Sequence, residues 1–194
     1  MLREKLQGHK IVLASGSPRR QQFLKELDVP FEVRLKDVEE IYPDTLQGAE
    51  ITDFLAELKA KSMDDTLSDD EILITSDTIV WYNGKALGKP KDHDDAFGML
   101  KALSGNTHEV ITSVCIKNID RTEVFNETTK VTFNTLSDNE IQYYLDNYKP
   151  FDKAGSYGIQ EWIGLVAIAK IEGSYANVVG MPVDKVYQHL SKFA

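Results

Sequence analysis

The sequence predicts an α/β fold on a mixed β-sheet. Short apolar runs bounded by turn residues alternate with stretches whose apolar residues recur at three- and four-residue spacing. Asn83-Gly84 between apolar runs signals a hairpin, and two long strand-like runs, 108–118 and 122–134, read as one antiparallel pair. Helices interspersed with both hairpins and crossovers require a mixed sheet. With 194 residues the chain can build one good core, or two small lobes around a shared sheet.

The elements follow in order. Ile11-Val12-Leu13 marks a buried strand over about 10–14, and Gln21 to Leu27 continues an amphipathic helix over 18–28. Ser17 suits the N-cap of that helix and Pro18 its first position, where no N–H is needed. Phe31 to Leu35 alternates as a strand; Ile51, Phe54, Leu55 and Leu58 fall on one face of a helix over about 49–63. The acidic run 64–71 reads as a solvated loop. A buried strand runs from Ile72 to Trp81, and Ala96, Phe97, Leu100 and Leu103 make a helix that ends near Gly105. Leu136 to Tyr148 is a helix with Ser137 as N-cap and Glu140 at the capping-box position. Glu161-Trp162-Ile163 starts a short helix, Val166 to Ile171 is a strand, and Val183 to Phe193 is a terminal helix.

Composition narrows the classes of function. The net charge of −9 argues against duplex nucleic acid as a partner, because such binding rests on phosphate neutralisation. It leaves room for a small phosphorylated ligand, since distant charges are screened beyond about 8–10 Å. No apolar run is long enough to span a membrane, and the first residues lack the apolar core of a signal peptide. A single cysteine, Cys115, excludes an internal disulfide and a Cys-cluster zinc site, and its apolar neighbours make it a small buried residue. These features predict a cytoplasmic protein. P-loop and Rossmann glycine motifs, zinc-spaced histidines and a serine elbow are all missing from the sequence.

Several polar residues stand out against this background. Ser15-Gly16-Ser17-Pro18-Arg19-Arg20 lies at a strand-to-helix corner, where free N–H groups and the helix dipole attract an anion. Two arginines in a first helical turn oppose that dipole, which favours a ligand-facing role for one of them. Asp77 interrupts an otherwise apolar strand, a costly place unless the carboxylate is paired, metal-bound or turned to the surface. Gly88-Lys89-Pro90 presents a point charge rigidly, as either a turn or a phosphate contact. Glu39-Glu40 is a plain acidic loop or a source of a metal ligand. The stretch from Asp152 to Gln160 mixes small residues with Tyr157 and Ile159, and Gln160 offers both donors and an acceptor.

Together and in this order, these stretches resemble the Maf family. The resemblance runs through Ser15 to Arg20, Glu40, the Lys59 to Lys61 helix end, Ser76 to Val80, Gly88-Lys89-Pro90, Leu103-Ser104-Gly105, His108, the Asp152 to Gln160 loop, Gly173-Ser174-Tyr175 and Gly180-Met181-Pro182. It covers about residues 10 to 190, so it implies one Maf-like domain over 1–194. It implies an inosine-triphosphatase-like fold: an elongated mixed β-sheet flanked by helices, with two lobes and a central cleft. The implied activity is a nucleoside triphosphate pyrophosphatase, which releases a nucleoside monophosphate and pyrophosphate, with a divalent metal, Mg²⁺ or Mn²⁺. The Ile159-Gln160 pair looks like the branch acting on dTTP and UTP, whereas the branch acting on methylated GTP typically has Ser-Glu there. A homodimer is also implied.

By the same resemblance Asp77 corresponds to the proton acceptor, and Arg19, Thr78 and Gln160 to specificity positions. Glu40, Lys59 and Lys89 match other cleft residues. On this basis Glu40 and Asp77 are expected at the metal, with Ser15, Ser17, Arg19, Lys59 and Lys89 around the phosphates. Gln160 would read the base: uracil and thymine offer an acceptor at O4 and a donor at N3, and cytosine the reverse. The family often has glycine after the loop glutamine, whereas this chain has Glu161-Trp162, a bulkier pair that would narrow the pocket. Two other readings stand beside this one: a nucleotide-sensing regulator of cell division without catalysis, which needs no general base, and a methylated-GTP pyrophosphatase.

Overall fold

The computed structural model describes residues 1–193. The chain runs α1 (Leu2–Lys5), β1 (Lys10–Leu13), α2 (Pro18–Glu26), β2 (Phe31–Val33), α3 (Ala49–Ser62), β3 (Glu71–Tyr82) and β4 (Lys85–Leu87). It continues through α4 (His93–Leu103), β5 (Thr107–Lys117), β6 (Thr122–Phe133), α5 (Asp138–Tyr148) and α6 (Trp162–Val166). It closes with β7 (Ile168–Glu172), α7 (Tyr175–Val179) and α8 (Val183–Phe193). The sheet has the order β2-β1-β3-β5-β6-β7, with β4 paired to β3. It is mixed, as the sequence predicts: β1 is parallel to β2 and β3, while β3/β4 and β6/β7 are antiparallel. Residues 118–121 alone join β5 to β6, a connection too short for a parallel pair.

The local signals explain most boundaries. Asn83 and Gly84 both take positive φ, +49° and +73°, the backbone that a tight two-residue hairpin needs. The Ser137 hydroxyl accepts from Glu140 N–H, and Glu140 accepts from Ser137 N–H at 2.7 Å, so the capping box forms as expected. Ser17 occupies the N-cap of α2 without a side-chain cap. Its own N–H donates to the Ser15 hydroxyl at 3.3 Å, so the turn closes from upstream of the helix.

Two regions depart from expectation. The N-terminal residues form α1, whose Leu2 enters the core along with Leu6 just beyond it. The acidic run 64–71 is not wholly a solvated loop: Asp64–Thr66 forms a 3₁₀ turn, and Glu71 opens β3 while buried. Glu71 is held by a two-point contact with Arg34, at 2.7 and 3.0 Å, and this guanidinium holds its carboxyl down at about 2. A charge run hides such a residue because its partner stands 37 positions away.

The described residues form two compact units, and β3, β5 and β6 each contribute residues to both. The first unit comprises 1–77, 112–127 and 180–193. Its sheet is buried on both faces by the alternation of side chains. Ile11, Leu13, Ile72, Ile74, Val114 and Ile116 pack with α2 and α8, while Val12, Leu73 and Cys115 pack with Ala56, Ala60 and Met63 of and just beyond α3. Cys115 is buried as expected, and burial pushes its thiol up to about 12.

The second unit comprises 78–111 and 128–179. Its core joins Ala96, Leu100 and Leu103 of α4 to Ile141, Tyr144 and Leu145 of α5, over Val110, Val131 and Phe133 of the strands. His108 sits inside this core, edge-on to Phe133 and Tyr157, and shares a 2.8 Å hydrogen bond with the Tyr157 hydroxyl. Burial pushes the imidazole down to about 4. The unfolded chain therefore binds a proton between pH 6.5 and about 4 that the folded chain does not, so stability falls as pH drops through that window. Urea titrations should show a loss of up to about 3 kcal/mol across this window that His108→Gln does not share. Equal pH slopes for the two proteins would contradict this.

Candidate active site

The parity of β3 sets the placement of Asp77. Leu73, Thr75 and Asp77 share one face, and that face meets α3. Thr75 donates to the Ala56 carbonyl at 2.7 Å; one helical step later, Lys59 places its ammonium 2.6 Å from Asp77 Oδ1. Asp77 is only 6% exposed, so this pairing is what makes an ionised carboxylate tolerable in the middle of an apolar strand. The expected alternatives for Asp77 thus resolve against the surface-facing one. Glu40, from the exposed loop after β2, reaches the same ammonium at 3.0 Å. Lys59 therefore joins two carboxylates that lie 37 residues apart in sequence, 40 and 77.

The corner between β1 and α2 lies in the same unit. Ser15 is buried, Ser17 and Arg19 are half-buried, and Gly16 is exposed. Arg20, which the sequence reading leaves out of the site, holds this corner in place. Its guanidinium donates to the Ser76 carbonyl at 2.8 Å, to the Gly180 carbonyl at 2.9 Å and to the Ser15 hydroxyl at 3.4 Å. It thereby ties the corner both to the residue before Asp77 and to the Gly180-Met181-Pro182 turn. Burial lowers the pKa of Arg20; the charges of Asp77 and Glu40 oppose that shift, and Arg19 reinforces it. These two carboxylates and both arginines thus share one electrostatic neighbourhood. The pair of arginines after Pro18 was the available signal, but sequence alone did not say which faced inward.

Thr78, Lys89 and Gln160 belong to the second unit. Thr78, half-buried, follows Asp77 directly on β3. Lys89 is exposed in a turn whose Gly88 carbonyl accepts from Gly155 N–H at 3.0 Å. Gln160 is exposed at the end of the 152–160 loop. Other motif residues have structural duties. The Ser104 hydroxyl, just after α4, accepts from Leu136 N–H at 2.7 Å, and Ser174 N–H donates to Thr129 Oγ1 at 3.1 Å.

Among the described residues no group of three or more His, Cys, Asp or Glu side chains is placed to hold a metal unaided. The oxygen donors that do converge are Asp77 and Glu40, around the Lys59 ammonium. A hard divalent cation commonly rests on one or two carboxylates and completes its shell with water and substrate phosphate. This pair of carboxylates fits such a shared ion.

Residues 10–193 match the family model described as Maf-like protein. The chain belongs to the Maf family. Curated relatives support this over nearly full length. A protein of Flavobacterium psychrophilum named dTTP/UTP pyrophosphatase is 65% identical over 190 residues, covering 98% of this chain and 97% of its own. One of the same name from Flavobacterium johnsoniae is 62% identical, with 98% of each chain covered. Another from Christiangramia forsetii is 53% identical, covering 99% of this chain and 98% of its own. Among solved structures, the Staphylococcus aureus Ham1 protein superposes with a TM-score of 0.56 at 17% identity, covering 95% of this chain and all of that one. That likeness concerns the fold, and agrees with the mixed sheet flanked by helices expected of a Maf protein.

The tie through Arg20 has a measurable consequence in this Maf chain. Arg20→Ala removes the guanidinium from the Ser76 and Gly180 carbonyls and from the Ser15 hydroxyl, a loss of about 2–4 kcal/mol. Denaturant unfolding should register that loss. Arg20→Lys should recover only part of it, because an ammonium cannot reproduce the planar fork. Full recovery by lysine would mean that charge alone, not the fork, holds the corner.

Proposed function

We propose that this chain is a nucleoside triphosphate pyrophosphatase that hydrolyses dTTP and UTP to the monophosphate and pyrophosphate. The observation that carries the reading is the buried Asp77, paired with the Lys59 ammonium that Glu40 also reaches, in the unit that also holds the Ser15 corner. Membership of the Maf family and full-length relatives named dTTP/UTP pyrophosphatase support it. The whole chain, 1–194, is read as one catalytic domain that works in the cytoplasm as a homodimer. No helix among the described residues is long and apolar enough to cross a membrane.

Asp77 acts as general base. It takes a proton from the water whose oxygen attacks the α-phosphorus, and the bond to the oxygen bridging α and β breaks as pyrophosphate leaves. A positioned base contributes about 10²- to 10⁴-fold. Asp77 and Glu40 would also hold a divalent ion, Mg²⁺ or Mn²⁺, which when bound would supply charge neutralisation at the phosphates. Lys59 is the resident counter-charge of both carboxylates and moves to phosphate oxygens when the triphosphate enters. Arg19 contacts phosphate in a two-point manner and Lys89 as a point charge. Ser15 and Ser17 complete the cradle. Thr78 and Gln160 select the nucleotide, with Gln160 matching both O4 and N3–H of uracil or thymine.

The sensor reading needs no general base, so the Lys59-paired Asp77 weighs against it. Ile159-Gln160 weighs against the methylated-GTP reading.

Pyrophosphate release from a panel of nucleoside triphosphates, with Mg²⁺ or Mn²⁺ present, tests the reading. dTTP and UTP should lead, and chelation should abolish turnover reversibly. Asp77→Asn should fold and bind nucleotide yet lose at least about 100-fold in kcat. Near-normal turnover by Asp77→Asn sinks the assignment of the base. No turnover of any nucleotide by the wild type favours the sensor.

A further inference from the structure

Gln160 is exposed, but buried groups tie down the turn that carries it. Tyr144 of α5 is wholly buried, and burial pushes its hydroxyl pKa up, keeping it a proton donor. This hydroxyl donates to Glu161 Oε2 and accepts from Gly158 N–H at 3.0 Å. The buried Lys153 places its ammonium 3.1 Å from Glu161 Oε1 and 2.7 Å from Asp152 Oδ1. Gly158 lies at the centre of this cluster. A Cβ there would stand 2.9 Å from Glu161 Cδ and 3.0 Å from both Gln160 Nε2 and Lys153 Cε. The Gln160 amide nitrogen, the Glu161 carboxylate and the Lys153 stem therefore converge over a residue that has no side chain.

Tyr144 holds one oxygen of the Glu161 carboxylate and Lys153 the other, so this carboxylate is fixed beside the Gln160 amide over Gly158. A fixed carboxylate attracts the NH₂ end of an amide and repels its oxygen. In one orientation an amide complements the N3–H and O4 of uracil or thymine. Flipped, it complements N3 and the 4-amino group of cytosine. Whatever prevents the flip therefore decides between these bases.

We propose that Glu161 is a positioning residue for base choice. Braced by Tyr144 and Lys153, its carboxylate holds the Gln160 amide with Nε2 toward Gly158, so that uracil and thymine are accepted and cytosine refused. The inference rests on the reading of Gln160 as the residue that contacts the base. Glu161 itself acts through Gln160 and touches no reacting atom.

The test is the ratio of kcat/KM for dTTP to that for dCTP, measured on the full chain. Glu161→Gln is the decisive variant, because it keeps the shape and still accepts from Tyr144 while removing the charge. It should lower the ratio about tenfold, with the kcat for dTTP within about threefold of wild type and Tm within about 2 °C. Tyr144→Phe removes the brace and should lower the ratio in the same direction. Gln160→Ala should lower it too, and adding Glu161→Gln to that variant should change nothing further. A wild-type ratio in Glu161→Gln, where Gln160→Ala lowers it, overturns the role of Glu161 and leaves the base reading intact. Additive losses in the double variant also overturn it, since Glu161 would then act independently of Gln160. A ratio untouched by Gln160→Ala overturns the base reading itself, and the inference with it.

Discussion

The Lys59 ammonium lies 2.6 Å from Asp77 Oδ1, and the first unit is organised so that this contact can exist. An isolated ionised carboxylate at this depth is costly, and removing one partner of a buried pair typically costs about 3–5 kcal/mol. Three conditions bring the partner there. The alternation of β3 sends residues 73, 75 and 77 to one face, α3 crosses that face, and the spacing of Ala56 and Lys59 matches that of Thr75 and Asp77. A one-residue slip of β3 would turn Ser76 to α3 and Asp77 into the opposite core, against Leu24 of α2 and Leu190 of α8. The apolar alternation thus fixes where the charge goes, and the charge in turn penalises the wrong register.

Arg20 links this strand to the corner between β1 and α2. Its three acceptors come from β1's end, from the residue preceding Asp77 and from the turn before α8. A guanidinium with several donors in a plane can satisfy such dispersed acceptors at once, where a lysine offers a compact point charge. The two arginines after Pro18 therefore divide their work. Arg20 orders the backbone, and Arg19 is the one proposed to meet phosphate. The cost of two cations at a helix N-terminus, about 0.3–1 kcal/mol each, is small beside the contacts that Arg20 makes.

The second unit uses the same device on a loop. Gly155 and Ser156 adopt positive φ, and a Cβ on Gly155 would meet Val80 at 2.6 Å, so the loop passes tightly over β3. The His108–Tyr157 hydrogen bond and the Tyr144–Gly158 contact then anchor it to β5 and α5. An exposed glutamine at the end of a loop so anchored loses little further freedom on contacting a ligand, which is the advantage of preorganisation.

The sequence by itself determined the fold class, nearly every element, the capping box of α5, the Asn83-Gly84 hairpin and the burial of Cys115. Each of these is a local pattern of period, turn chemistry or composition. The ordered motifs carried the family as well, and Asp77 stood out because an acid in an apolar strand is a local contradiction. Only the tertiary structure decided the rest. It gave Asp77 and Glu40 a common partner in Lys59, buried Glu71 against Arg34, turned Arg20 rather than Arg19 into the corner's anchor, and gathered Glu161, Tyr144 and Lys153 around Gly158. Apart from Ser15 beside Arg20 and the last cluster's own loop, these partners stand 14 or more residues apart, so no periodicity in the chain records them. Which charges meet is settled by the register of packed strands and helices, and that register exists only once the core has closed.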